Sequence, residues 1–324
     1  MKKAIIAVIL MIVCLYAVIY EKSGDTIVVY TSMEHNRNEG MTEQLRERFP
    51  DYDIQVMYLP TAKVAAKLRS EGTNTDADII VGVETGYLEM VKDSLGNALD
   101  YTRLDYLLGI NPEHGKYVIW EAVGGGFAVN TDILAKYNLP EPKSYEDLLN
   151  PIYKDLIALQ DPKSSSTGYN FYLSLVNELG FEGALEYYDK LNENVKQYSE
   201  SGSGPVKMLI QGEVAVGTAL TFNVTTEINN GHPLKMIYPE QGSPTSYGGT
   251  SFIKGRESDP RIMEVFDFLI NDFILYDKAY YNPGKIVENQ IVMMDNWPKD
   301  IPVADMTGLT DMNKKQKLLK AWKF

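Results

Sequence analysis

The chain has one cysteine, Cys14, in 324 residues. It lies inside an uncharged N-terminal run, so no disulfide can support the rest, and the fold must rest on its own core. Histidine is equally scarce: His35, His114 and His232 are the three present, far apart in sequence. The phosphate loop G-x-x-x-x-G-K-[ST], the zinc-hydrolase pattern H-E-x-x-H and the nucleophile turn G-x-S-x-G are all missing. The expectation is therefore a protein without catalysis or cofactor. Basic residues are in deficit, 31 Lys and Arg against 44 Asp and Glu, for a net charge of −13. That argues against nucleic acid as a partner. It leaves room for a small anion, because nearby N–H groups outweigh a distant field. There are no internal repeats and no low-complexity linker.

What is present suits a folded protein of two lobes. Hydrophobic residues make up 44% and aromatics 11% of a chain too long for one small domain. The start stands apart. Lys2 and Lys3 precede an uncharged run at residues 4–20, AIIAVILMIVCLYAVIY. A basic start and an apolar centre are the pattern of an export signal. The run sits at the short end of what crosses a bilayer. No A-x-A cleavage site follows it, and Val13 is a poor neighbour for lipidation at Cys14. Residues 1–24 are read as an uncleaved membrane anchor, with a lipoprotein signal as the alternative.

Beyond it the chain alternates. Strands are expected at 26–30, 52–58 and 77–83, with helices at 41–49 and 62–71 and a polar loop at 31–36. This βαβαβ rhythm predicts a parallel sheet whose ligands sit beyond the strand ends, at Thr31-Ser32, Pro60-Thr61 and Glu84-Thr85. Residues 117–129, broken by Gly124, Gly125 and Gly126, read as a crossing between lobes. Asn130 and the S-x-x-D box Ser144–Asp147 cap short helices. A strand at 156–160 leads into DPKSSSTG and helices at 169–179 and 181–191. A second small-residue loop, SGSG at 201–204, opens a helix at Pro205, and a buried strand follows at 214–220. A strand at 234–238, a return crossing at 248–254, an amphipathic helix at 260–276 and a closing helix at 314–324 complete the chain.

Four hydroxyl clusters stand at helix starts or strand ends: Thr31/Ser32, Thr61, Ser165–Thr167 and Ser201/Ser203. Any one alone reads as a helix cap. Together at one cleft they would make an oxyanion site. Lys63 and Arg37 read as solvated surface; placed at the cleft they would add positive charge. Glu34, His35 and Glu84 are the nearest approach to a metal cluster, and hard ferric iron would accept such ligands.

The ordered pieces VVYTS at 28–32, KVAAKLRSEG at 63–72, ADIIVG at 77–82, FAVNTDIL at 127–134, DPKSSSTGY at 161–169, SGSGPVKMLIQGEVAVG at 201–217 and YGGTSFIKG at 247–255 resemble a known family. It is that of the extracytoplasmic solute-binding proteins of ABC importers, and within it the group taking ferric iron, 2-aminoethylphosphonate, sugar phosphates or thiamine. The resemblance implies an α/β, two-lobed type II periplasmic-binding-protein fold with hinge crossing strands. Lobe 1 would hold residues 25–125 plus 240–282, and lobe 2 residues 126–239 plus 283–324. By position, Ser32, Thr61, Glu84, Ser165, Ser166, Thr167, Ser203 and Asn223 would line the cleft. Phe222 and Trp120 would pack on an organic ligand or in the core. The iron-binding members carry adjacent tyrosines where this chain has Thr221-Phe222-Asn223-Val224, so the resemblance favours an anionic solute such as a phosphonate or phosphate ester. Ferric iron held through His35 and Glu84 is the alternative. An ABC permease as partner, a monomeric state and a place on the outer face of the cytoplasmic membrane follow from the same likeness. A surface phosphate-ester enzyme and a sensory ectodomain are the readings from other classes.

Overall fold

Residues 25–324 are described by a computed structural model of the chain. The expected anchor, with Cys14, lies outside them. No helix among the described residues is long and apolar enough to cross a membrane.

Three β-branched runs form the first parallel group: β1 (Thr26–Thr31), β2 (Asp53–Tyr58) and β3 (Ile79–Glu84). β1 and β3 are buried along their whole length, as strands covered on both faces must be. Strands β5 (Ile157–Gln160), β6 (Val195–Ser199) and β7 (Val216–Leu220) form a second parallel group. Between the groups run β4 (Val118–Asn130) and β9 (Thr245–Phe252), antiparallel to each other. The resulting order is β2-β1-β3-β9-β4-β7-β5-β6, with β8 (Leu234–Ile237) paired to β4.

Two large apolar cores flank the crossing, beside a smaller cluster around Val206, Leu209, Val214 and Val224. One gathers Val29, Ile80, Trp120, Phe252, Phe266 and Ile286, and the other Phe127, Tyr153, Tyr172, Leu191, Val216 and Trp322. Trp120 is fully buried and stacks on Phe273 at 6.0 Å, so it packs within the first core. The last forty residues serve both cores: Ile286 and Val287 enter the first, Leu309, Leu318 and Trp322 the second.

Several boundaries differ from the sequence reading. Helix α1 (His35–Arg48) starts inside the expected polar loop. Its first turn, HNRNEG, is a weak helix former held by tertiary contacts. Asn38 accepts from Thr31 Oγ1 at 2.8 Å and donates to the Met33 carbonyl at 2.9 Å. Helix α2 (Thr61–Glu71) has Pro60 in its capping position, so Thr61 is the first helical residue and not the cap. Helix α3 (Thr85–Val91) follows β3, and α4 (Thr131–Tyr137) is capped by Asn130 as expected. The two helices expected on either side of residue 180 are there, 166–179 and 181–191, separated by Gly180 at a non-helical φ of 75°; the pair is labelled α5 (Ser166–Leu191). Then come α6 (Gly204–Ile210) and α7 (Thr221–Asn229). Helix α8 (Pro260–Phe268) runs through a wide turn at Leu269–Phe273 into α9 (Ile274–Tyr280). At that turn Asn271 Nδ2 donates to the Asp267 carbonyl at 3.2 Å, taking an acceptor the helix would use. The closing helix α10 (Met312–Ala321) begins earlier than expected, because Asp311 caps it through the Asn313 and Lys314 amides.

Candidate ligand-binding cleft

Register alone places the strand ends. Glu84, the last residue of β3, pairs with Gly248 of β9, and Gly248 pairs with Glu121 of β4. Leu220, the last residue of β7, pairs with Gly125 of β4. Four residues of strand span about 13 Å. The C-terminal ends of both parallel groups therefore open onto one short stretch of β4. Glycine is required there: a Cβ on Gly126 would lie 2.5 Å from the Ile237 carbonyl oxygen.

On the second group, two hydroxyl loops are brought side by side. Gln160, the buried last residue of β5, donates through Nε2 to the Gly202 and Thr218 carbonyls, both at 2.9 Å, and accepts from Thr218 Oγ1 at 2.6 Å. The Asp161 amide donates to the Ser199 carbonyl at 2.8 Å. Residues 161–168 and 200–204 are thereby fixed to one another, and a Cβ on Gly202 would come 3.1 Å from Thr167 Oγ1. Ser165 caps α5, accepting from the Gly168 amide at 3.4 Å. Ser166 is exposed and Thr167 buried. Ser203 holds the capping position of α6 without a side-chain bond, which leaves its half-buried hydroxyl uncommitted to the helix. Asn223 is half-buried on the first turn of α7, next to Thr221, whose Oγ1 lies 3.0 Å from Tyr238 Oη.

The first group looks different. Ser32 Oγ donates to the Leu59 carbonyl at 2.9 Å, and Thr61 is half-buried beyond it. Lys63 is exposed, as expected. Arg37 is not. It is 1% exposed, with Nη1 2.6 Å from Glu121 and Nε and Nη2 each 2.8 Å from Asp277. The polar run around it hid this, because no local pattern reveals a partner from α9. Burial opposes the charge on Arg37, but Asp277, Glu121 and Glu34 hold it protonated. Burial likewise lowers the pKa of Lys278, which sits 2.8 Å from Asp277. The Glu34 carboxyl is pushed up, chiefly by burial and against the pull of Arg37.

Glu84 is buried at the end of β3, and its carboxylate is taken by Lys315 of α10, with Nζ at 3.1 and 3.4 Å. His35 points to solvent and pairs with Glu39 at 3.2 Å, so His35 and Glu84 have separate partners. Among the described residues no three His, Cys, Asp or Glu side chains are placed to share a metal ion.

Contacts pass between the groups. Arg37 lies over the Phe222 ring at 5.9 Å, and Asn170 of α5 donates to Ser246 of β9 at 2.9 Å. The Lys315 ammonium faces Tyr87 at 4.6 Å and Tyr169 at 4.5 Å. Phe222 thus meets a cation and Trp120 the core. Two residues that tie these elements together, Gln160 and Lys315, were not singled out from sequence. Each left a trace: a polar residue closing a buried strand, and a lysine three and seven places before Leu318 and Trp322 on the apolar side of a helix.

The pattern of a bacterial extracellular solute-binding protein matches residues 82–274, more than half of the chain. The chain belongs to that family. An uncharacterised protein of Haemophilus influenzae is 29% identical over 246 residues, covering 71% of this chain and 68% of the relative. A thiamine-binding periplasmic protein of Brucella suis is 25% identical over 232 residues, covering 68% of this chain and 66% of the relative. The periplasmic binding protein AfuA from Actinobacillus pleuropneumoniae, solved with exogenous fructose-6-phosphate bound, matches with TM-score 0.77 and 21% identity over 93% of this chain and 98% of its own. The α/β fold of this solute-binding family is the one its crossing strands and two cores describe. Members of the family are extracytoplasmic binding proteins and not enzymes.

Proposed function

We propose that this solute-binding protein captures a small anionic solute, a phosphate ester or phosphonate, and delivers it to an ABC permease. In this reading it acts as a monomer held to the outer face of the cytoplasmic membrane by residues 1–24. The observation that carries the reading is the adjacency of two hydroxyl loops, Ser165–Thr167 and Ser201–Ser203, locked together by Gln160 at the strand ends. Free N–H groups opening the long helix α5 add to the hydroxyls. In this reading Ser32, Thr61 and Asn223, just past the ends of β1, β2 and β7, would line the same opening. The Glu84 carboxylate is spoken for by Lys315 and contributes as a neutral pair. Ferric iron has less support: His35 is turned away, and burial raises the phenol of Tyr169 above its ordinary value, against tyrosinate.

A thermal-shift panel tests this. It holds sugar phosphates, phosphonates, thiamine phosphates and ferric citrate. Ligand at about 100 times its dissociation constant adds about 2.7 kcal/mol of stability. A shift with an organic anion is expected, and a shift with ferric citrate alone would overturn the reading.

A further inference from the structure

We infer that Lys315 sets the charge preference of the cleft: by neutralising Glu84 at its floor, it lets an anion bind where a bare carboxylate would repel it. The inference rests on the anionic reading above and adds a residue from outside every motif in the sequence.

Lys315 is anchored in one half of the molecule and spends its charge in the other. Its helix α10 packs through Leu318 and Trp322 into the second core. Its ammonium reaches Glu84 and Tyr87, which belong to β3 and α3 of the first parallel group. The same ammonium lies over Tyr169, in the first turn of α5 just past Ser165–Thr167. The cation therefore stands between the acid on the floor and the helix whose opening carries the hydroxyls. Lys315 is 3% exposed and Glu84 7%, so water screens the pair little.

Among the described residues the other buried cations, Arg37 and Lys278, offer no free counter-charge. Arg37 and Lys278 are committed to Glu34, Glu121 and Asp277. With Lys315 and Glu84 included, three cations face four carboxylates, so the balance is already slightly negative. Loss of Lys315 would leave a second uncompensated charge beside the hydroxyl loops. At an effective dielectric of about 20, one charge roughly 12 Å from the bound anion changes its affinity on the order of tenfold.

The alternative role for such a pair is a mechanical latch between the halves, and the two roles separate cleanly. If charge matters, Glu84→Gln and Lys315→Met act in opposite directions. If only the latch matters, both act in the same direction. The probe is inorganic phosphate, which presents the anionic group alone, titrated calorimetrically into the full-length protein at fixed ionic strength with chloride as control. Phosphate should bind Glu84→Gln several-fold more tightly and Lys315→Met about tenfold more weakly than wild type. The double variant should fall between the two. Lys315→Met leaves a buried unpaired carboxylate and can fail to fold. In that event Glu84→Gln against the double variant carries the test, since both lack the acid and differ only in the cation. Singles that shift together, or no difference between Glu84→Gln and the double variant, would overturn the role of Lys315 while leaving the anionic reading intact. If phosphate does not bind the wild type, the same comparison is made with the organic anion that shifts it in the panel, and a wild type that neither phosphate nor any organic anion binds or stabilises would overturn both.

Discussion

Arg37 and Asp277 meet as a two-pronged ion pair across 240 positions of sequence, Nε and Nη2 each 2.8 Å from a carboxylate oxygen. The pair joins the first turn of α1 to α9, and Glu121 brings in the crossing strand through Nη1. Burial alone would lift the Asp277 carboxyl, yet Arg37 and Lys278 hold it below the usual range. Removing one partner of such a network strands the others in a dry interior. Arg37→Met should therefore cost about 3–5 kcal/mol. Arg37→Lys should recover little, because an ammonium cannot fork to two acids. Urea midpoints measure both, and a midpoint unmoved in Arg37→Met would refute the network's role.

Acid should weaken the protein partly through Glu89. Burial pushes its carboxyl up, but donation from His114 at 2.9 Å, Tyr117 at 2.7 Å and Lys92 at 3.1 Å outweighs this and holds it below the ordinary value. A carboxylate with a depressed folded pKa stabilises fully above its unfolded pKa, about 4.3. That contribution is lost as pH falls through the folded value. Wild type should thus lose stability below about pH 4.3, and Glu89→Gln should show a shallower fall over the same range. Parallel curves of melting temperature against pH would show that Glu89 takes no part.

Much of this was legible in the residues. The β-branched runs announced β1 and β3, and the Gly124–Gly126 break announced the crossing, because strand chemistry and close backbone approach leave local signatures. Ser144 and Asp147 form the reciprocal cap their spacing promised: the Asp147 amide donates to Ser144 Oγ at 3.3 Å and the Ser144 amide to Asp147 Oδ2 at 3.0 Å. What stayed hidden was long-range pairing. Arg37 sits in a polar run indistinguishable from surface, and its partner lies in a distant helix. Thr61 was misplaced by one residue because Pro60 takes the capping position. Glu84 was read as a cleft-lining acid or an iron ligand, because nothing near it in sequence foretold its pairing with Lys315.

Gln160 is the lock on the two hydroxyl loops, and its loss should be felt in both stability and binding. Gln160→Leu would leave the Gly202 and Thr218 carbonyls and Thr218 Oγ1 without their present partner. Each buried group left unsatisfied costs about 1–3 kcal/mol. Ser165→Ala with Ser203→Ala removes hydroxyls while keeping the lock. That pair should weaken anion binding about tenfold, as loss of charge-assisted hydrogen bonds does, with a stability change near 1 kcal/mol from the Ser165 cap. Binding unaffected in the serine pair but lost in Gln160→Leu would place the contact on the loop backbone rather than on the hydroxyls.

Trp322 decides whether the closing helix stays in place. Its ring meets Tyr172 at 5.2 Å, Tyr188 at 4.7 Å, Tyr198 at 5.7 Å and Phe324 at 5.5 Å. Its carbonyl also accepts from Lys163 Nζ at 2.9 Å, tying the helix end to the loop before Ser165. Trp322→Ala should cost about 3–5 kcal/mol, the usual range for an emptied aromatic site. Because α10 carries Lys315, the loss should not be confined to the second core. Amide exchange in Glu84–Val91 should rise along with that in α10, since the ammonium held over Tyr87 would lose its support. Exchange that rises in α10 alone would mean that the Lys315 contact survives without the tryptophan, and that the loop of Lys163 suffices to hold it.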